Sequence, residues 1–496
     1  MFEIKESIRL LHAQNPDQNW CNSSKAEAIH IIKNSIPNTL SNLCYYISTT
    51  ICLSMLSTYS SNDINLLAAS GIGSTIIIAA YYSVFYSLNT AVLNLGAQAI
   101  GSGNDELMGY TLHRALIINA SFMVPLAFLI SQGESFLLLI RVRPEIAALS
   151  IKYATDMLPA TSFAAIFHTL HYYLVAQEIL YPQVISQSLS VTTQYFLCHL
   201  LIYYGMDFYK AVILSKLIAE ILNLTIIVIY ISRRESLALT WFKPKRKSFR
   251  KILSQLKTSV EGGAITYFEV LIYEIITFFS GMLESPQVAA QAAFSNFAYI
   301  AISPPAGIGN TLAALVSEKL GEGSKKEAIG FIRTGLLVIL ALTVVGILGI
   351  YCFSDEIIHV YTQNPEVMPI LKKLLLYYPM FQLFDYQLQA TSSLLRSLGL
   401  ELFALLSYFV VYYFLALPVS YLLGVKYHMG TFGLWIGLAL GTTILVLFGL
   451  ITILCGTNVD KQIVIIQKRL KYLDEEFGTD TTSTMCELKS VSLQKV

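Results

Sequence analysis

The stretch "TYFEVLIYEIITFF", residues 266–279, decides the fold. Ten of its fourteen residues are apolar or aromatic; the others are two threonines and two glutamates, Glu269 and Glu274. In a soluble protein this is a buried segment with two misplaced charges. In a bilayer it is a spanning helix whose acids need a reason to be there. The remaining chain chooses between these readings. Of 496 residues, 55% are hydrophobic and only 13% charged, against about 25% charged in soluble globular proteins. So little charge cannot clothe a surface that faces water on every side. Apolar runs of about 18 residues or more read as membrane spans, and they recur along this chain. It is therefore read as a polytopic membrane protein.

The runs number twelve, at roughly 36–58, 66–95, 111–132, 148–175, 183–203, 208–231, 259–283, 288–315, 328–353, 368–395, 401–425 and 432–455, each near the length a helix needs to cross. Spanning strands would be about ten residues long with strict alternation. Lipid offers no partner for free backbone groups, which also favours helices. The fold class is all-α, twelve transmembrane helices in two six-helix bundles. Between the sixth and seventh runs lies "ISRRESLALTWFKPKRKSFRKILSQLK", residues 231–257, with nine Lys and Arg against one Glu. Basic loops stay in the cytoplasm, and even span counts put both termini there too. This divides the chain into an N-terminal segment (1–35), a first lobe (36–231), a basic linker (232–258), a second lobe (259–455) and a tail (456–496). The first 35 residues lack the apolar core of a signal peptide. The tail opens with "DKQIVIIQKRLKYLDEEF", basic and amphipathic, expected on the inner leaflet or in the cytosol. Seven scattered cysteines show neither a disulfide framework nor metal spacing.

The two halves repeat. An offset of 220 residues lays "AQAIGSGNDELMG" from residue 97 on "SEKLGEGSKKEAIG" from residue 317. Gly101 then meets Gly321, Gly103 meets Gly323, and Pro159 meets Pro379. Six spans per half make the repeat parallel, about an axis along the membrane normal, an arrangement typical of transporters with a site between the halves.

These features carry a resemblance. "AQAIGSGN" after span two, "LPAT" and "AQEILYPQV" around span four, "YFEVLIYEI" in span seven, "AAQAAFSN" in span eight and "FDYQLQATSSLLRSLG" in span ten occur in order. Together they resemble the multidrug and toxin extrusion (MATE) family in its eukaryotic branch, from about Pro37 to residue 455. The resemblance implies a V-shaped pair of bundles that export organic compounds against an ion gradient, usually of protons. It places Glu269 and Glu274 on the two span-seven carboxylates and Asp385 on the acid of span ten. Asn296 falls where animal members often carry another Glu. Where plant members have Gln three residues after the span-ten acid, this chain has Leu388 between Gln387 and Gln389.

The residues support the acids independently. A charge at the bilayer centre costs about 2.5–3.5 kcal/mol on insertion scales. Spans seven and eight hold no Lys, Arg or His to offset it. A carboxyl taken out of water without a partner tends to bind a proton, as a proton-coupling site requires. Five residues apart on a helix is about 140° of rotation. Glu269 is therefore expected to face the cavity or Asp385, and Glu274 to bond within the second bundle. Tyr267 and Tyr273, with Gln291, Asn296 and Gln389, are expected to line the cavity. Phe278 is a further aromatic candidate. The first half has no matching acid: Asp385 falls on Ala165. It has His168 and His171, too few ligands for a metal site, and Lys216 with Glu220, which at i,i+4 neutralise each other. Gln98 is expected to cap or brace the turn after span two. Pro304 and Pro305 break span eight and offer a hinge. The glycine loops lack the Lys-Ser/Thr of a phosphate loop.

The function read from this is a proton-coupled antiporter exporting organic cations, since cavity acids without cavity bases select cations and aromatic faces assist. Protons are the expected coupling ion, with Na⁺ second; no cofactor, metal, catalytic residue or nucleic acid is implied. The expected partners are the bilayer and small organic substrates, the protein a monomer in a plasma or vacuolar/lysosomal-type membrane. The alternatives are a lipid-linked sugar flippase or an exporter of anionic or neutral metabolites; the flippase and an anion exporter would want basic residues at the site.

Overall fold

The computed structural model describes residues 20–59, 64–139, 142–361 and 364–474. The described residues are helical almost throughout, with no strand among them. The first half contributes α1 (Trp20–Tyr59), α2 (64–101), α3 (Asp105–Ser131), α4 (Pro144–Val175), α5 (Tyr181–Tyr203) and α6 (Phe208–Arg233). The second contributes α7 (Ile252–Ser280), α8 (Ser285–Glu322), α9 (Lys325–Tyr361), α10 (Met368–Ser397), α11 (Glu401–Lys426) and α12 (Gly430–Gly456). A last helix, α13 (Val459–Asp474), follows. Eight described helices are long and apolar enough to cross a membrane: α2, α3, α6, α7, α8, α9, α11 and α12. The other long ones, α1, α4, α5 and α10, turn polar groups into the protein. α5 buries Gln183, Gln187 and Gln194, and α10 buries Gln382, Asp385 and Gln387.

Local chemistry explains the ends. Asn104 caps α3, its side chain accepting from Leu107 N–H at 3.0 Å; Asp207 caps α6 through Lys210 N–H at 3.2 Å. α2 and α8 both end on glycines in the left-handed region, Gly103 at φ 75° and Gly323 at φ 81°, where a side chain would be strained. The earlier pair has a different task. A Cβ on Gly101 would run into the Glu318 backbone, and one on Gly321 into the Gln98 backbone. α2 and α8 thus cross with main chain against main chain. Gln98 reaches further, its amide donating to Ser397 O at 3.3 Å at the end of α10.

Hydrogen bonds between the halves gather at this same end, near the linker. Asn38 of α1 donates to Thr311 of α8 at 2.9 Å, Thr334 of α9 to Glu27 of α1 at 2.7 Å, and Gln255 of α7 to Thr111 O of α3 at 2.8 Å. Small residues let helices approach closely here, as in other membrane bundles: Gly307 lies on Thr39 and Gly263 on Ser87.

Two expectations need revision. Helix α1 does not begin near residue 36 but runs unbroken from Trp20 through Pro37. Its first turns are amphipathic and bury Glu27, His30 and Ile31 against both halves, with His30 Nε2 3.0 Å from Glu178. Residues 1–19 of the expected N-terminal segment lie outside the described residues, as do 475–496 of the tail. And α13 does not spend its apolar face on lipid. Ile463, Ile466, Leu470 and Leu473 are buried against the protein.

Candidate ion-coupling and substrate site

Helix α7 carries its two acids to different neighbours. The Glu269 carboxylate, only 6% exposed, accepts from the Gln389 amide of α10. One turn earlier on α10, Asp385 is 2% exposed, and its Oδ1 accepts from the Tyr273 hydroxyl of α7 at 2.8 Å. The chain thus crosses over itself: the acid of each helix is held by a neutral donor of the other. Each acid sits one turn from the donor that holds the other, so the two carboxylates lie on facing stretches of α7 and α10. Glu274 turns to α8 instead, accepting from the Tyr299 hydroxyl at 2.8 Å. The rotation of five residues along α7 produces this split.

The nearest base comes from a place span-by-span reading does not reach. Arg396, 6% exposed at the end of α10, donates to Thr266 of α7 at 3.1 Å and to Ser393 at 3.1 Å. Thr266 is one turn below Glu269. The end of α10 therefore brings a buried guanidinium within one turn of Glu269 on α7. It approaches across helices, so the sequence of α7 and α8 alone gives no sign of it.

The expected lining residues divide. Tyr273 and Gln389 are direct donors to the acids. Gln291 stands behind them, its amide donating to Thr277 at 3.3 Å and Ser295 at 3.1 Å and its carbonyl accepting from Trp435 Nε1 at 2.8 Å. Trp435 in turn packs on Tyr273, ring centroids 6.0 Å apart. Tyr267 is two residues from Glu269 and so on the far side of the helix, its ring beside Phe268. Asn296 is exposed and bonds back to Ala292 O at 3.0 Å, not to the acids. Phe278 is exposed. Pro304 and Pro305 open the second segment of α8, Ser303–Glu322, just after the break at Ile302; a proline in a first turn forfeits no helical hydrogen bond, so the break costs little.

An aromatic array in the first half escaped the sequence reading. Tyr45 and Tyr82 stack at 4.3 Å, and the Tyr82 hydroxyl meets His168 Nε2 at 2.8 Å. Tyr46 stacks at 5.6 Å on Tyr299, the residue that holds Glu274, so the array reaches across the halves. The pairs "YY" at 45–46 and 81–82 were the available signal; a helix turns such neighbours about 100° apart, which hides which of them converge. Lys216 Nζ lies 2.5 Å from Glu220 and donates to Ser48 at 2.7 Å.

Three comparisons bear on this arrangement. The MatE family model matches residues 37–200 and 264–422. The Multidrug and toxin extrusion protein 1 of Xenopus tropicalis is 27% identical over 378 residues, 75% of this chain and 65% of that protein, so the chain spans slightly under two thirds of this relative's length. Protein DETOXIFICATION 16 of Arabidopsis thaliana is 23% identical over 407 residues, 80% of this chain and 82% of that protein. In fold, the crystal structure of the eukaryotic MATE transporter AtDTX14 superposes with a TM-score of 0.83 at 21% identity, over 90% of this chain and 99% of that one.

Proposed function

Because the chain belongs to the MatE family, whose members are transporters and not enzymes, we propose that it is a secondary active antiporter that exports small organic cations in exchange for protons by alternating access. Twelve spans carry the reading: the eight apolar helices plus α1, α4, α5 and α10, whose polar residues face protein. They form two six-helix lobes related by a parallel pseudo-two-fold repeat, with both termini and the linker in the cytoplasm. The reciprocal approach of Gly101 to Glu318 and Gly321 to Gln98, positions paired by the 220-residue offset, supports that symmetry.

The observation that carries the proposal is the pair Glu269 and Asp385, buried about one turn apart on the facing helices α7 and α10 with neutral donors bonded to their carboxylates. Two acids this close resist ionising together, so they gain a proton or a cation more readily than they hold two free charges. When the site faces outward, protons bind and displace the cargo. Facing inward, they leave and a new cation enters. A ligand shifts such an equilibrium only by its differential affinity for the two states, and competition for one carboxylate pair supplies that difference. Exchanging one monovalent cation for one proton moves no net charge. The pH gradient alone then drives it, about 1.4 kcal/mol or ten-fold per pH unit. A neutral cargo would also gain about 2.3 kcal/mol per 100 mV from the charge moved.

The test is uptake of a fluorescent organic cation into proteoliposomes under an imposed pH gradient, with and without Na⁺. Glu269→Gln and Asp385→Asn should remain folded and lose pH-driven uptake; full uptake by both would defeat the proposal. A second reading, export of anionic compounds, is favoured by the buried Arg396 beside the site. Driven uptake of an organic anion that ends with Arg396→Gln, while the acid variants still transport, would select it.

A further inference from the structure

We propose that α13 is a strap that ties the linker-side ends of the two lobes together and has to come away before the site opens to that side. The inference rests on the alternating-access reading and goes beyond it, for nothing in the acid pair requires a helix after the last span.

The strap is fastened to both lobes. On the second lobe, Arg469 Nη1 meets Glu401 of α11 at 2.9 Å, with Glu401 buried. Lys325 at the start of α9 meets Asp460 at 2.5 Å. On the first lobe, Asn104 donates to Asp474 at 3.1 Å, and Arg114 of α3 donates to Leu473 O at 3.2 Å. Lys251 sets its ammonium 3.5 Å from the centre of the Tyr472 ring.

The two fastenings differ in strength. The second lobe holds the strap by ion pairs, one of them largely buried, early in the helix and through its middle. The first lobe reaches its last turn, through the Asn104 amide and the Arg114 guanidinium, and the linker adds Lys251 on the Tyr472 ring. Breaking a buried charge pair costs about 3–5 kcal/mol; the bonds of Asn104 to Asp474 and of Arg114 to Leu473 O each have one charged partner and contribute about 1.5–3 kcal/mol. Release therefore starts at Tyr472–Asp474 and leaves α13 riding on the second lobe.

Position gives the release its consequence. The strap lies beside the crossing of α2 and α8, along an open cleft of about 330 Å³ lined by Ser102, Glu322 and Gln467 among others. Any separation of Gly101 from Gly321 pulls Asn104 away from Asp474. Lys251 also takes a left-handed conformation, φ 59°, immediately before α7, the helix that carries Glu269. The strap's last turn thus bears on the root of the coupling helix.

The experiment uses the full chain, freed of its native cysteines, in proteoliposomes. Ser317, fully buried at the crossing, becomes the reporter as Ser317→Cys, and its alkylation by a membrane-impermeant maleimide applied from the linker side is timed. Adding Tyr472→Ala and Asp474→Ala should speed alkylation about five- to ten-fold, the size of a typical coupling between sites. An unchanged rate in monodisperse protein overturns the proposal. As a second measurement, Asn104→Cys with Asp474→Cys, oxidised to a disulfide, should slow alkylation and stop uptake of the fluorescent cation, both restored by dithiothreitol. Undiminished alkylation by the oxidised protein would equally overturn it. The maleimide rate needs no cargo and no pH gradient, so a failed strap is distinguishable from a failed antiport mechanism.

Discussion

Glu269 and Glu274 share a helix and a chemistry but are given different tasks by what stands opposite. Glu269 faces the helix that bears a second acid. Glu274 meets a tyrosine that is itself stacked on the first lobe. We expect Tyr299→Phe to lower stability by about 1.5–3 kcal/mol, the range for a hydrogen bond to a charged group, read as thermal unfolding in detergent, with pH-driven uptake preserved; loss of uptake at unchanged stability would move Glu274 into the transport step. Lys216→Met should be worse, because it strands Glu220 in a buried site; removing one partner of such a pair costs about 3–5 kcal/mol. Adding Glu220→Leu should recover most of that loss in the same melting assay. At this scale the sequence was informative where a charge interrupts an apolar run, as at Glu269 and Asp385. It was silent where a residue acts across helices. Arg396 stands eleven positions from Asp385 on α10, yet its donor reaches Thr266 on α7, and only packing reveals that. Asn296, the last residue of the "AAQAAFSN" motif, is exposed and donates to its own helix at Ala292 O rather than to the acids.

Elements repeat the lesson with glycine and with amphipathic pattern. Within the two glycine loops the tasks divide: Gly103 and Gly323 end the helices, and Gly101 and Gly321 let two backbones touch. Gly321→Val should therefore cost about 1–3 kcal/mol as overpacking does, and should raise maleimide labelling of Ser317→Cys from the linker side. A change in melting temperature without any change in labelling would show that the contact is only a packing site. Helix α13 was legible as amphipathic, since its apolar period is in the sequence, but not what would cover it, since a helix surface suited to lipid suits a protein groove equally well. The basic linker is held too. Lys245 pairs with Glu106 at 2.5 Å, and its hydrogen bond and charge draw the Glu106 carboxyl below the usual range. A depressed carboxyl stabilises above its unfolded pKa and loses that contribution as pH falls through the folded one. In a chain with Trp241 as its sole tryptophan, the linker's fluorescence should hold at neutral pH and shift as the pH drops past the carboxylate range. Glu106→Gln should show the shifted signal throughout, and high salt should mimic it, the pair being exposed.

For the whole molecule, the span count is the quantity to test. Epitopes placed in the linker and after residue 474 should both be reached by antibody from the cytoplasmic side alone; one reached from each side would mean an odd number of spans between them. The broad architecture was readable because apolar run length and basic-loop placement are properties of the chain itself. The span borders were less so, because α1, α4, α5 and α10 also carry polar residues that they turn into the protein, which lowers their apolar signal. One feature noted above, the junction of Gly101 and Gly321, has a mechanical corollary. Where side chains meet, they can rotate and yield by degrees; where two peptide planes abut, nothing soft remains to deform. A doorway hinged against such a jamb has no ajar position, so the passage between the lobes would snap between shut and open, and cargo would cross in whole steps with no leak between them.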